Sequence, residues 1–236
     1  GDYLQFLDAD DVILPQKISA QVALARSSGS PDLIIGDFEQ VMPNGHLLPA
    51  LALHARPWMA LIQTRMGTTS ANLWKRYALT AVGGWNEQLA SSQDYELMFR
   101  LLKQGASLGW DPHIRTHVLK RVSGSISQTG VQANWDRYIA LRHAIMEHLR
   151  GMDPARYADE IETLRQYIFM ALRIVAADDL QKALAVHERS IGRNFRPQVG
   201  RAITERYAAL YNLLGFATTE RLMRLVKGRG PQHTPA

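Results

Sequence analysis

The chain is 236 residues long, 46% hydrophobic and 21% charged, with a formal net charge of +5 and no cysteine. That composition is ordinary for a globular protein, and the length allows one large or two small domains with a substantial core. It excludes disulfides and thiolate metal sites, and no apolar run reaches the roughly 18 residues that a transmembrane helix needs.

Residues 3–7 read as a strand in which Leu4, Phe6 and Leu7 suit burial, and it runs straight into Asp8, Asp10 and Asp11. In an open parallel sheet, ligands bind just beyond the carboxyl ends of the strands. Carboxylates this close repel one another, so they point to a bound cation, and Mg²⁺ or Mn²⁺ suits such oxygen ligands and bridges them to a diphosphate. The alternative is a solvated acidic turn leading into the next helix. The chain opens on Gly1 rather than Met, with a buried strand at its very start, so a fragment lacking an upstream part is expected.

A helix follows over about 15–28, with Pro15 suited to its first turn. The run from Asp32 to Phe38 reads as a strand, and Pro43-Asn44-Gly45 as a turn into another strand near 46–49. A helix over 56–64, a strand over 69–75 and a short helix over 76–81 come next, the last ended by Gly83-Gly84. Ser91 to Gln104 forms a stronger helical pattern, with Leu97, Leu101 and Leu102 on one side and Gly105 as its stop. Strands near 107–111 and 115–121 complete an alternation that predicts an α/β sheet flanked by helices.

Beyond about residue 129 the strand signals vanish, and apolar residues recur at helical spacing through 131–150, 154–177, 179–190 and 198–227. Asp153-Pro154 and Arg196-Pro197 mark helix starts or breaks. Leu210, Leu213, Leu214, Leu222 and Leu225 suit a packed face. The basic C-terminal stretch, with Arg221, Arg224, Lys227 and Arg229, reads either as a solvated helix face or as a contact for anionic membrane. No nucleic acid partner is expected.

Four strings resemble family 2 glycosyltransferases in order and spacing: the segment Gly1 to Lys17 around Asp8-Ala9-Asp10, Thr69 to Arg76 followed by Ala81 to Glu87, Ser92 to Leu97, and Lys120 to Ser127. The resemblance covers residues 1–127 and none of the helical half. It implies a GT-A-like mixed, mostly parallel sheet flanked by helices over 1–127, incomplete at its start, followed by an all-helical region over 128–236. It implies an inverting transfer of a sugar from a nucleotide-diphosphate donor to an acceptor hydroxyl, on a carbohydrate or lipid-linked acceptor. Polysaccharide assembly is the common setting of the family, in the cytoplasm or at the membrane periphery.

On this resemblance Asp10 binds Mg²⁺ or Mn²⁺ directly, Asp8 supports the ion or the donor ribose, and Asp8, Asp10 and Asp11 form the donor site. Asp94 is the general base, and Gly84, Trp85, Asn86 and Gln93 border the acceptor. Residue by residue, other readings stand beside these. Asp94 also suits a helix N-cap, Trp85 a core aromatic, and Gly83-Gly84 a turn with positive φ. Gly67 to Ser70 reads as a donor-sugar wall or a polar loop, and His113 and His117 as an extra metal ligand or ordinary histidines. Gln93 stands where an acid often precedes the base, Lys120 where Arg is frequent and Val122 where His is frequent. The family's opening, nucleotide-binding half is absent, so the fragment alone is expected to be inactive.

Two other classes compete. Phe6-Leu7-Asp8-Ala9-Asp10 also resembles the first motif of haloacid-dehalogenase-type phosphohydrolases, but Val12 replaces the small hydroxyl residue that motif wants. Its later acidic pair would have to be Asp178-Asp179, inside a helical stretch. The third class is a non-catalytic module whose helical half serves interaction or membrane-surface contact.

Overall fold

Leu33, Ile34 and Ile35 are fully buried because their strand lies inside a sheet, covered on both faces. The structure, a computed structural model, describes residues 1–121, 131–192, 194–200 and 202–227. Backbone packing divides the chain into two units, Gly1–Val131 and Gln132–Ala236. The expected boundary after residue 127 lies outside the described residues.

The first unit runs β1 (Tyr3–Leu4), β2 (Val12–Ile13), α1 (Lys17–Ser27), β3 (Leu33–Gly36), β4 (Phe38–Val41), β5 (Leu47–Ala50), α2 (Pro57–Ile62), β6 (Leu73–Lys75), α3 (Arg76–Ala81), α4 (Gln93–Lys103), β7 (Leu108–Asp111) and β8 (Thr116–Leu119). These strands make two four-stranded sheets, in the orders β1-β6-β3-β7 and β2-β8-β4-β5. Only β3 with β7 and β4 with β8 are parallel; the other four pairings are antiparallel. The sheets are therefore mixed as expected, but not mostly parallel. A tight turn at Pro43-Asn44-Gly45 can only return β5 antiparallel to β4, and β6 enters between β1 and β3 running against both.

The expected single strand over 32–38 breaks at Asp37 and feeds both sheets. The buried Asp37 carboxylate accepts a hydrogen bond from the Ala52 amide at 2.8 Å, which anchors the far end of the β4–β5 hairpin. Gly36 is required just before the break, because a Cβ there would lie 2.5 Å from the Ala71 carbonyl oxygen. The α4 helix buries Leu97, Met98, Leu101 and Leu102 and directs Lys103 outward. Burial of each such side chain contributes about 1.5–3 kcal/mol. The helix ends at Gly105, in left-handed conformation with φ 77°.

The second unit holds α5 (Val131–Met152), α6 (Ala158–Asp178), α7 (Leu180–Ser190) and α8 (Glu205–Lys227). Its core centres on Phe169 of α6, whose ring lies 4.9 Å from those of Phe195 and Tyr211 and 5.7 Å from that of Phe216. Arg142 is buried and stacks its guanidinium 3.4 Å from the centre of the Tyr138 ring. The leucine face expected on the last helix is corrected: Leu213 is 79% exposed and Leu225 65%, and Leu214 and Leu222 are exposed too. Gly215, with φ 75° and ψ 173°, interrupts α8, so helical phase is not carried across it. The helix instead packs through Tyr207, Tyr211, Phe216 and Thr219. Among the described residues no helix is long and apolar enough to cross a membrane.

Candidate active site

After β1 the chain passes through Gln5, Phe6 and Leu7 and turns at the acids, where the Asp11 amide donates to the Asp8 carbonyl at 3.0 Å. The turn hangs from a distant loop. The Asp8 amide donates to Ser70 Oγ at 3.1 Å, and Gln5 Nε2 donates to the Ser70 carbonyl at 2.9 Å. Beneath it lies Lys17, fully buried, whose ammonium donates to Gln5 Oε1 and, at 2.9 Å, to Gln21 Oε1. Gln21 Nε2 in turn donates to the Ala71 carbonyl. Burial pulls the Lys17 pKa down to about 8, with Asp111 partly opposing it.

Asp10 Oδ2 is paired with Arg121 Nε at 2.8 Å, and Asp11 Oδ1 accepts from the Leu119 amide at 3.3 Å. Among the described residues the Asp8 carboxylate has no such partner and feels its neighbours instead. Partial burial raises its pKa above the ordinary carboxylate value, and repulsion from Asp11, Asp94 and Asp10 raises it further. Asp94, more than eighty positions along the chain, thus shares one field with the acidic turn.

Asp94 is the second residue of α4, and Ser92, in left-handed conformation with φ 62°, occupies the cap position. The N-cap reading of Asp94 is therefore set aside. Its Oδ1 accepts from Trp85 Nε1 at 3.1 Å. The Trp85 ring meets Phe6 edge-on at 4.5 Å and Trp74 at 5.4 Å, so it joins the β1 segment to the start of α4. The two readings of Trp85 merge in part: it packs as a core aromatic and also holds Asp94.

Gly83 and Gly84 have φ 79° and 70°, as a turn there requires. Arg100, one turn beyond Glu96 on α4, fixes this turn: it pairs with Glu96 at 2.7 Å and donates to the carbonyls of Val82 and Gly84. Asn86 Oδ1 accepts from the Gln88 amide, and the exposed Gln93 donates to the Leu89 carbonyl. Gly84, Trp85 and Asn86 thus sit in the loop that leads to α4, and Gln93 opens that helix beside Asp94. In the loop before β6, Thr68 Oγ1 accepts from the Ala71 amide, so that residue is engaged in its own turn. His113 pairs with Asp111 at 3.2 Å and His117 with Glu39 at 3.3 Å. Of the closing loop, Lys120 and Arg121 are described, while residues 122–127 lie outside the described residues.

Among the described residues, no group of three or more His, Asp and Glu is placed to hold a metal ion. The donor chemistry still fits Mg²⁺ or Mn²⁺, because such ions are usually held by one or two carboxylates together with substrate phosphates and water. Asp10 and Asp8, inside a cluster of mutually repelling acids, provide that minimum. Asp179, which the phosphohydrolase reading needs as an acid, caps α7, accepting from the Lys182 amide at 2.9 Å, in a unit of helices.

Gln5, Lys17, Gln21 and Arg100 were given no role from sequence, and Ser70 and Arg121 were read only as members of their loops. The only signals for them were local, such as Glu96 and Arg100 standing one helical turn apart.

No protein-family model matches the chain, and a search of curated proteins finds no match. Among solved structures, S. aureus TarS, residues 1–349, aligns with a TM-score of 0.55 at 13% identity, over 99% of this chain and 68% of that one. The complex of the same protein with UDP-GlcNAc aligns at 0.54 and 15% identity, over 96% and 68%. The mannosyltransferase PcManGT from Pyrobaculum calidifontis, in complex with GDP-Man and Mn²⁺, aligns at 0.37 and 13% identity, over 96% and 63%. At such identities the likeness to TarS is one of fold, a mixed α/β glycosyltransferase-like fold.

Proposed function

We propose that the chain belongs to an inverting glycosyltransferase of the GT-A, family 2 kind, which moves a sugar from a nucleotide-diphosphate donor to an acceptor hydroxyl. The observation that carries this reading is the grouping of Asp8, Asp10, Asp11 and Asp94 into one electrostatic cluster, tied together by Trp85. The shared fold with TarS, solved with UDP-GlcNAc, supports it.

In this mechanism Asp94 takes the proton of the acceptor hydroxyl as that oxygen attacks the anomeric carbon. Trp85 Nε1 occupies Oδ1, which leaves Oδ2 as the oxygen that receives the proton. One carboxylate is enough, because inversion forms no covalent intermediate. Asp10 and Asp8 would hold Mg²⁺ or Mn²⁺, which would supply Lewis-acid neutralisation of the charge growing on the leaving nucleoside diphosphate. Asp11, through Leu119, keeps the acidic turn against β8. Gly84, Trp85, Asn86 and Gln93 line the acceptor side.

The test, on the full-length protein, is nucleoside diphosphate release from a set of nucleotide sugars, UDP-GlcNAc among them, with and without Mg²⁺ or Mn²⁺. Asp94→Asn abolishes transfer and leaves donor binding intact. Asp10→Ala removes the metal-dependent part of donor binding. Near-normal turnover of Asp94→Asn would show that the base lies elsewhere.

A further inference from the structure

The helical unit contains a cavity of about 410 Å³ that sugar transfer at Asp94 leaves without a task. The volume falls within the range of roughly 300–1,000 Å³ common to small-molecule sites. Its floor is aromatic. Phe195, Tyr211 and Phe216 line it and are almost wholly buried, with the His187 ring beside them. Its rim is polar, formed by the exposed residues Glu188, Arg196 and Asn212.

The cavity is built by a specific break in the backbone. Gly215, also in its lining, has φ 75° and ψ 173°, a combination essentially confined to glycine. Tyr211 and Phe216 stand five residues apart, which on an unbroken helix would separate their directions by about 140°. The interruption between them lets both line one hollow.

The floor is also electrically quiet. His187 Nε2 and the Tyr211 hydroxyl lie 2.9 Å apart and satisfy each other. The imidazole stacks on Phe216 at 4.5 Å with 5° between planes, and burial, followed by the charge of Arg165, lowers its pKa to about 4. At neutral pH the floor therefore presents uncharged ring surface. Arg165, whose charge reaches His187 and Tyr211, is itself paired with Glu162 at 2.7 Å, and on the rim Arg196 and Glu188 supply one charge of each sign.

Such a rim suits a dense set of neutral hydroxyls. The forked donors of Arg196, the paired oxygens of Glu188 and the amide of Asn212 can each meet two neighbouring hydroxyl groups. Ring faces carry negative quadrupole density and attract weakly positive C–H bonds. A molecule with one C–H face and a hydroxyl edge is a sugar ring. We propose that this cavity binds a neutral sugar ring, its C–H face on Tyr211 and Phe216 and its hydroxyls on Glu188, Arg196 and Asn212. The inference rests on the helical unit and does not require Asp94 to be a base.

The test is saturation-transfer NMR on the full chain with glucose, N-acetylglucosamine and cellobiose, with phenyl phosphate and glycerol as controls. EDTA is present throughout, so that a metal-dependent donor site stays silent. Saturation reaches the ring protons of at least one sugar. It falls roughly tenfold in Arg196→Gln and Glu188→Gln, where charged hydrogen bonds are lost at exposed positions. It persists in Asp10→Ala. Transfer to no sugar, transfer indifferent to both rim substitutions, or transfer to phenyl phosphate alone would each overturn the assignment. Sugar binding retained in a protein that releases no nucleoside diphosphate would count against the proposed function alone.

Discussion

Trp85 has two tasks that a single substitution can separate. Trp85→Phe keeps a ring against Phe6 and Trp74 but removes the donor to Asp94. A hydrogen bond to a charged group contributes about 1.5–3 kcal/mol, so kcat should fall roughly tenfold or more while donor binding is kept. Steady-state kinetics with a saturating donor checks this, and an unchanged kcat would leave Trp85 as packing only. Lys17 offers a pH test. Its pKa is about 8 in the fold and 10.5 as the unperturbed value, so the unfolded chain binds the proton more tightly between those limits. Stability from this group therefore rises as pH climbs through about 8 to 10.5, by on the order of 3 kcal/mol in full. Lys17→Met removes the titration, and urea unfolding of both proteins across that window should show wild type gaining on the variant. A constant difference would mean that the ammonium is not desolvated as described. The closeness of Asp8, Asp10 and Asp11 is legible in the sequence because they are chain neighbours, whereas Asp94 was tied to them only through the family resemblance. Lys17 was not legible, because lysine is rarely buried and its acceptors sit on separate elements.

Among elements, α3 and α4 emerged close to their expected limits because glycines stop both and a strong apolar face marks the second. Two-residue β2 carried too short a pattern to read. The α8 helix illustrates a different failure. Leucines at helical spacing on either side of Gly215 looked like one stripe, yet a single residue with φ 75° and ψ 173° resets the phase between them. Gly215→Ala forces an L side chain into that conformation or straightens the helix. A cost of about 1–3 kcal/mol is expected, visible as a lower midpoint in thermal unfolding. An unaltered midpoint would argue that the backbone there relaxes freely.

At the scale of the molecule, an alternating α/β half and a helical half could be told apart from periodicity alone, since both patterns are local. The pairing of strands could not. Which of two sheets a strand joins, and in which direction, depends on contacts such as β1 with β6 that bring Tyr3 opposite Lys75. The same distinction explains how the chain shares a fold with TarS at 13–15% identity. Buried positions constrain residue class rather than residue identity, so architecture outlasts sequence.

Ser70 grips the amide of Asp8 across a separation of 62 residues. The acidic turn can consequently reach its folded place only after a long loop has closed, an entropically costly event. If the turn holds a divalent ion as proposed, that affinity is a late-acquired trait, and binding of the ion reports that the distant halves of the unit have found each other.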